Sequence, residues 1–146
     1  MNLKIQPCGV FIDENVNYLI ACPDGLIGKY GIVEVKCPFK ARDMTPREAI
    51  QKNFIKYVYI NKNGNLIIKR SSTCFYQIQG ELHITKRQYC YFIIWTQKGM
   101  IYTKIIRDDK FWKNNMENQL INFYENRMIP ELINPHLFEN NENKSS

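Results

Sequence analysis

The chain of 146 residues has no run approaching the roughly 20 apolar residues that a membrane-spanning helix needs, so no membrane partner is expected. Its start, MNLKIQPCGVFIDEN, lacks the apolar centre of a secretory signal peptide, and an intracellular setting follows as the expectation. Cysteine lacks pattern: five residues, an odd number, with no Cys-x-x-Cys pair. That excludes the usual zinc spacing and disfavours a disulfide framework, leaving reduced, buried thiols. Histidine is scarce. His83 and His136 each lack a second His or Cys at ligand spacing, so neither is a candidate metal ligand. No internal repeat is visible. Acidic residues are outnumbered, 14 against 20 Lys and Arg, and the net charge of +6 suits a polyanionic partner such as nucleic acid.

What is present suffices for a core. Hydrophobic residues make up 45% of the chain, which reads as one domain over residues 1–138 and a polar, disordered tail over 139–146. Short apolar runs at 9–13 and 18–21, separated by DENVN, predict a hairpin, and 31–37 (GIVEVKC) predicts a third strand. Thr45, Pro46 and Glu48 spell a capping box that opens a helix over about 46–55. A small hairpin is expected at 57–61 and 66–69, a helix at 72–85, a strong hairpin at 89–96 and 100–106, and an amphipathic helix over about 108–128. In chain order this is ββ-β-α-ββ-α-ββ-α, an α/β fold with a mixed central β-sheet flanked by helices. Trp95 and Trp112 are expected at core or half-core positions.

One strand carries the chemistry. Strand side chains alternate, so Ile32, Glu34 and Lys36 share one face and Val33 and Val35 the other. A buried charge needs compensation. Either Glu34 and Lys36 neutralise each other or reach solvent at an edge, or Glu34 helps to hold a hard cation. Asp24, in a turn ten residues earlier, converges on Glu34 if GLIGKYG folds back as a hairpin. Two carboxylates are suitable ligands for Mg²⁺ or Mn²⁺. Such a cation polarises a phosphate and acidifies a bound water, while a lysine beside it orients that water, helps deprotonate it or stabilises developing charge. Further basic residues sit in loops: Lys40 and Arg42, Lys69 and Arg70, Lys86 and Arg87. They are candidate contacts for a DNA backbone.

The stretches CPDGLIG, GIVEVKCPFKARDMTPREAI and FYQIQGELHITKRQYCYFIIWTQKGM carry a resemblance. With Pro23-Asp24-Gly25, Glu34-Val35-Lys36-Cys37-Pro38, Tyr76-Gln77-Ile78-Gln79-Gly80, Trp95 to Gly99 and Arg107 to Trp112, the chain resembles the YqaJ-like viral recombinase family. That family is a branch of the PD-(D/E)xK nucleases that includes lambda-type exonuclease. The resemblance covers about Gly9 to Leu132, with core motifs over 22–100, and implies a restriction-endonuclease-like core. It implies Asp24, Glu34 and the Val35 backbone carbonyl as metal ligands, Lys36 as the catalytic lysine, and Gln77 and Gln79 as the glutamine motif, with Gln79 favoured as the inward one. It also implies a Mg²⁺-dependent deoxyribonuclease, Mn²⁺ substituting, that degrades one strand of duplex DNA from its 5′ end in recombination, repair or viral DNA processing. A single-strand annealing partner, a homotrimer and a nuclear or viral-replication setting belong to the same expectation. Nothing here matches the family's N-terminal helical segment, which carries a glutamate near the metals and an arginine for the 5′ phosphate. Asp13 and Glu14 fall in a turn, and Cys22 replaces a common serine. The competing expectations are a catalytically silent DNA-binding or interaction module on the same fold, and an endonuclease.

Overall fold

The computed structural model describes residues 4–135. The tail at 139–146 and His136 lie outside the described residues. The chain divides into two compact units, Met1–Asp108 and Asp109–Ser146.

In chain order the first unit contains β1 (Ile5–Gln6), β2 (Phe11–Ile12), β3 (Ile20–Ala21), β4 (Gly25–Ile27), β5 (Gly31–Lys36), α1 (Pro46–Gln51), β6 (Val58–Ile60), β7 (Leu66–Ile68), α2 (Thr73–Ile84), β8 (Tyr89–Thr96) and β9 (Gly99–Ile106). Five strands form one sheet in the order β1-β4-β5-β8-β9. Only β5 and β8 run parallel, with Gly31 opposite Tyr89 and Lys36 opposite Ile94; the other pairs are antiparallel. A parallel pair needs a long crossover, and α1, the β6–β7 hairpin and α2 supply it. This is the mixed sheet with flanking helices that the sequence predicts.

Burial follows the alternation of β8. Cys90, Phe92, Ile94 and Thr96 are buried while Tyr89, Tyr91 and Ile93 are half-exposed. α2 contacts β8 and contributes Phe75, Ile78 and Leu82 to the core. Thr45 accepts from the Glu48 backbone N–H and Glu48 reaches back to Thr45, completing the capping box of α1. This helix ends at Gln51, short of the expected 55, and Asn53 turns the chain with a φ of 60°.

Two short strands escaped the sequence pattern. GLIGKYG reads as a turn, yet Gly25–Ile27 pairs with both β1 and β5, leaving only the residues around Lys29 as the turn. Three residues give no measurable alternation, and glycine marks both ends of the run. Gly25 is needed for close approach: a Cβ there would sit 2.5 Å from Ile5 Cγ2. The hairpin expected over 9–13 and 18–21 is present in reduced form as β2 and β3, and Asp13 Oδ1 accepts from the Asn15 and Val16 N–H groups to shape its turn.

The second unit is helical. Instead of ending near 128, the last helix runs from Asp109 to Ile133 as α3 (Asp109–Trp112), α4 (Asn118–Phe123) and α5 (Ile129–Ile133), joined by π turns over Lys113–Glu117 and Tyr124–Met128. Each π turn adds a residue to a helical turn and resets the face that follows, which a strict helical period misses. Pro130 is tolerated in the first turn of α5. Among the described residues no helix is long and apolar enough to cross a membrane.

Candidate active site

The β4–β5 hairpin sets the first two carboxylates. Gly25 pairs with Val33, so the same register carries Asp24 opposite Glu34, one step beyond the ladder. Asp24 Oδ2, just before β4 begins, accepts from the Val35 N–H of β5 at 2.7 Å. The N–H and C=O of a strand residue leave on the same side, so the Val35 carbonyl faces the Asp24 side too. Asp24 is exposed, while Glu34 is only 3% exposed. Lys36 Nζ lies 2.6 Å from Glu34 Oε1, on the face that the alternation predicts.

α2 closes the cluster with Gln77. Its Oε1 accepts from Lys36 Nζ at 2.9 Å, and its Nε2 donates to Glu34 Oε1 at 2.8 Å and to Glu81 Oε1 at 2.9 Å. The sequence preference for Gln79 as the inward glutamine is corrected here. Gln79 is buried, but its amide points elsewhere: Nε2 donates to Ile106 O at 3.0 Å and Oε1 accepts from Asp108 N at 2.7 Å. Two helix positions differ by about 200° in direction, so only one glutamine of the pair can face Glu34. The two therefore separate in experiment. Gln79→Leu is expected to lower unfolding free energy by about 1–3 kcal/mol, because it takes a side-chain partner from the part-buried Ile106 carbonyl and Asp108 N–H. Gln77→Leu takes a donor from the buried Glu34 and Glu81 carboxyls, so it should cost a comparable amount, but it alone should change how melting responds to added Mg²⁺. An equal Mg²⁺ response in the two variants would contradict this assignment.

Glu81 was not singled out from sequence. It stands one helical turn after Gln77 and is only 6% exposed, and its Oε2 is buried with no hydrogen-bond partner. Its signal was the i, i+4 spacing from Gln77, which puts both on one helix face. Burial and the neighbouring Glu34 carboxylate push its carboxyl up to about 7. Burial also raises Glu34, and Asp24 adds to this, against the lowering effect of Lys36 and Gln77. For Lys36, burial works to lower the ammonium, yet the Glu34 hydrogen bond and charge outweigh it and hold it above the ordinary lysine value. Desolvation is the largest cause of both carboxyl shifts, and the like charge of neighbouring carboxylates adds to it. Hard oxygen donors close together, one buried oxygen unpaired, fit a divalent cation such as Mg²⁺ or Mn²⁺. Among the described residues no three Asp, Glu, His or Cys side chains are already gathered at metal-ligand spacing. The fit rests on the donor chemistry and on Glu34 being held by Lys36.

The basic residues fall in different places. Lys40 and Arg42 are exposed, in and just after a 3₁₀ turn (Phe39–Ala41) that directly follows the site strand. Lys86 and Arg87 precede β8, at the Gly31 end of the parallel pair, about 17 Å of strand from Lys36. Arg87 Nη1 donates to the carbonyls of Gly28 and Gly31, at 2.8 Å each, and so ties down the β4–β5 turn. The candidate DNA-backbone contact Arg87 thus also braces the turn between the two site strands. Arg70 pairs with Asp108 at 2.8 Å. Trp112 is buried as expected, whereas Trp95 is 47% exposed.

No protein-family model matches the chain, and no curated protein matches it. Among solved structures it is similar to an alkaline exonuclease (LHK-Exo) from Laribacter hongkongensis, with a TM-score of 0.62 and 23% identity over 83% of this chain and 55% of that one. It is likewise similar to LHK-Exo in complex with dAMP, with a TM-score of 0.57 and 23% identity over 76% of this chain and 50% of that one. The chain thus spans about half the length of these structures. The likeness establishes the fold: the five-stranded mixed sheet and its helices are arranged as in a nuclease.

Proposed function

We propose that the chain is a metal-dependent DNA exonuclease, hydrolysing phosphodiester bonds of duplex DNA from a 5′ end, in recombination, repair or viral DNA processing. The observation that carries this reading is the Asp24–Glu34–Lys36–Gln77 cluster, with Lys36 Nζ bonded to both Glu34 and Gln77 beside Asp24. It is supported by the fold shared with a solved alkaline exonuclease. In this reading Asp24, Glu34 and the Val35 carbonyl hold Mg²⁺, or Mn²⁺ in its place. When bound, the cation polarises the phosphate and lowers the pKa of a water. Gln77 orients the Lys36 ammonium, and Lys36 directs its charge at the phosphate oxygens where negative charge builds. Lys40 and Arg42, just past the strand, hold the DNA backbone. A homotrimer and a single-strand annealing partner, within a nucleus or viral replication site, belong to the same proposal.

The test is cleavage of a 5′-phosphorylated linear duplex by the purified chain with Mg²⁺, Mn²⁺ or EDTA, beside a covalently closed circle. The expected result is shortening of the linear DNA with either cation, none in EDTA, and a resistant circle. A cut circle would make the protein an endonuclease. A folded protein that binds DNA without cutting it would be a silent module on the nuclease fold.

A further inference from the structure

A shallow depression of ≈ 170 Å³ opens directly after the site strand, lined by Cys37, Pro38, Phe39, Arg42, Trp95 and Thr96. Its placement follows from the register. Lys36 sits opposite Ile94, so Cys37 and Trp95 are the next residues of two parallel neighbours, at their carboxyl ends, and alternation turns both side chains to the sheet face opposite Lys36. Ligands of open α/β sheets gather at such ends.

The lining is unusual for a surface. Phe39 is 75% exposed and Trp95 47% exposed, although burial of either ring would be favourable. Both are set by structure around them. The Arg42 guanidinium lies 4.2 Å from the centre of the Phe39 ring, and its Nε pairs at 3.3 Å with the exposed Asp43 carboxylate. Thr96, buried beside Trp95, donates from Oγ1 to Met44 O at 2.7 Å and ties the end of β8 to the segment after the 3₁₀ turn. Two exposed rings, one with a guanidinium against it, suit a flat, electron-rich ring attached to an anion. The volume is below the about 300–1,000 Å³ of drug-sized ligand sites, which fits one ring system and not a whole nucleotide.

We propose that this depression is a stacking site for one nucleobase of a DNA strand that passes the carboxyl ends of β5 and β8, with Trp95 and Phe39 as the platform and Arg42 on the adjoining phosphate. The proposal rests on the nuclease reading. Stacking on aromatic side chains accepts every base, so the site would hold the strand without reading its sequence.

Trp95 itself reports the test. The second tryptophan, Trp112, is 3% exposed, so quenching by an added oligonucleotide reads Trp95. The full chain is titrated in EDTA with a short single strand and with the same strand made abasic, and fluorescence anisotropy of labelled DNA measures total binding in parallel. The expected result is quenching by the intact strand, little by the abasic one, and about ten-fold weaker binding of the intact strand by Trp95→Leu, with abasic binding unchanged. Phe39→Leu is expected to act in the same direction, which guards against a local effect of the tryptophan replacement. Equal binding of intact and abasic strands overturns the stacking site alone. Absence of any anisotropy change with either strand overturns the stacking site together with the nucleic-acid reading.

Discussion

Lys36→Met is expected to lower metal-dependent cleavage by about 10²–10⁴-fold, the range seen when one positioned electrostatic or proton-transferring group is removed. Among the described residues its ammonium is the only cation bonded within the carboxylate cluster, 2.6 Å from Glu34 and 2.9 Å from Gln77. Methionine keeps the length and the apolar stem but supplies no charge. Lys36→Arg keeps the charge, yet its planar fork does not reproduce a compact ammonium held at one point, so only partial activity should return. Loss of its cation leaves Glu34 buried and unpaired by charge. Because Lys36 retains 29% side-chain exposure, that cost is discounted to about 1–2 kcal/mol, visible in a denaturant melt. Initial rates on linear duplex, taken beside DNA anisotropy, check the prediction. Undiminished cleavage by Lys36→Met would remove Lys36 from the chemistry.

Glu34→Gln is expected to separate function from stability. Glu34 is 3% exposed, and its carboxylate stands among Asp24 and Glu81, so charge at this position is held at a cost. Glutamine preserves shape and removes the charge. In EDTA the variant should therefore melt at or above the temperature of the parent chain. With Mg²⁺ or Mn²⁺ the order should reverse. A cation that binds only the folded state at a hundred times its Kd adds about 2.7 kcal/mol, which raises the melting temperature of the parent by several degrees. The variant should lose most of that shift and at least about 10²-fold of its cleavage rate. Calorimetric melts with and without cation make the comparison. An equal cation-induced shift in both proteins would sink the assignment of Glu34 as a ligand, whatever the cleavage assay showed.

The placement of Glu34 and Lys36 on one face was readable, because strand alternation depends only on local backbone geometry. The capping box of α1, the β8–β9 hairpin and the α2 helix were readable for the same reason: each is encoded within a few consecutive residues. Asp24 meeting Glu34 was expected from a fold-back through GLIGKYG, and the β4–β5 register brings it about. Gln77 and Gln79 show where local pattern stops. Both lie on α2, two residues apart, and the choice between them turns on how the helix is rotated against β5. Glu81 is the same case. An acid on a helix reads as solvated until packing buries it against Gln77.

The sequence by itself determined the mixed α/β character, the charged strand, the helix start at Thr45 and the composition of the carboxylate–lysine set. Tertiary structure alone decided that β1 and β4 join the sheet, that Gln77 and Glu81 face the site, that Arg87 braces a turn, and that Trp95 stands at the surface beside Phe39. The physical reason is range. Strand alternation, caps and turns are fixed by neighbours along the chain, whereas burial and side-chain partnership arise between residues far apart in sequence: 43 positions separate Gln77 from Glu34, and 59 separate Arg87 from Gly28.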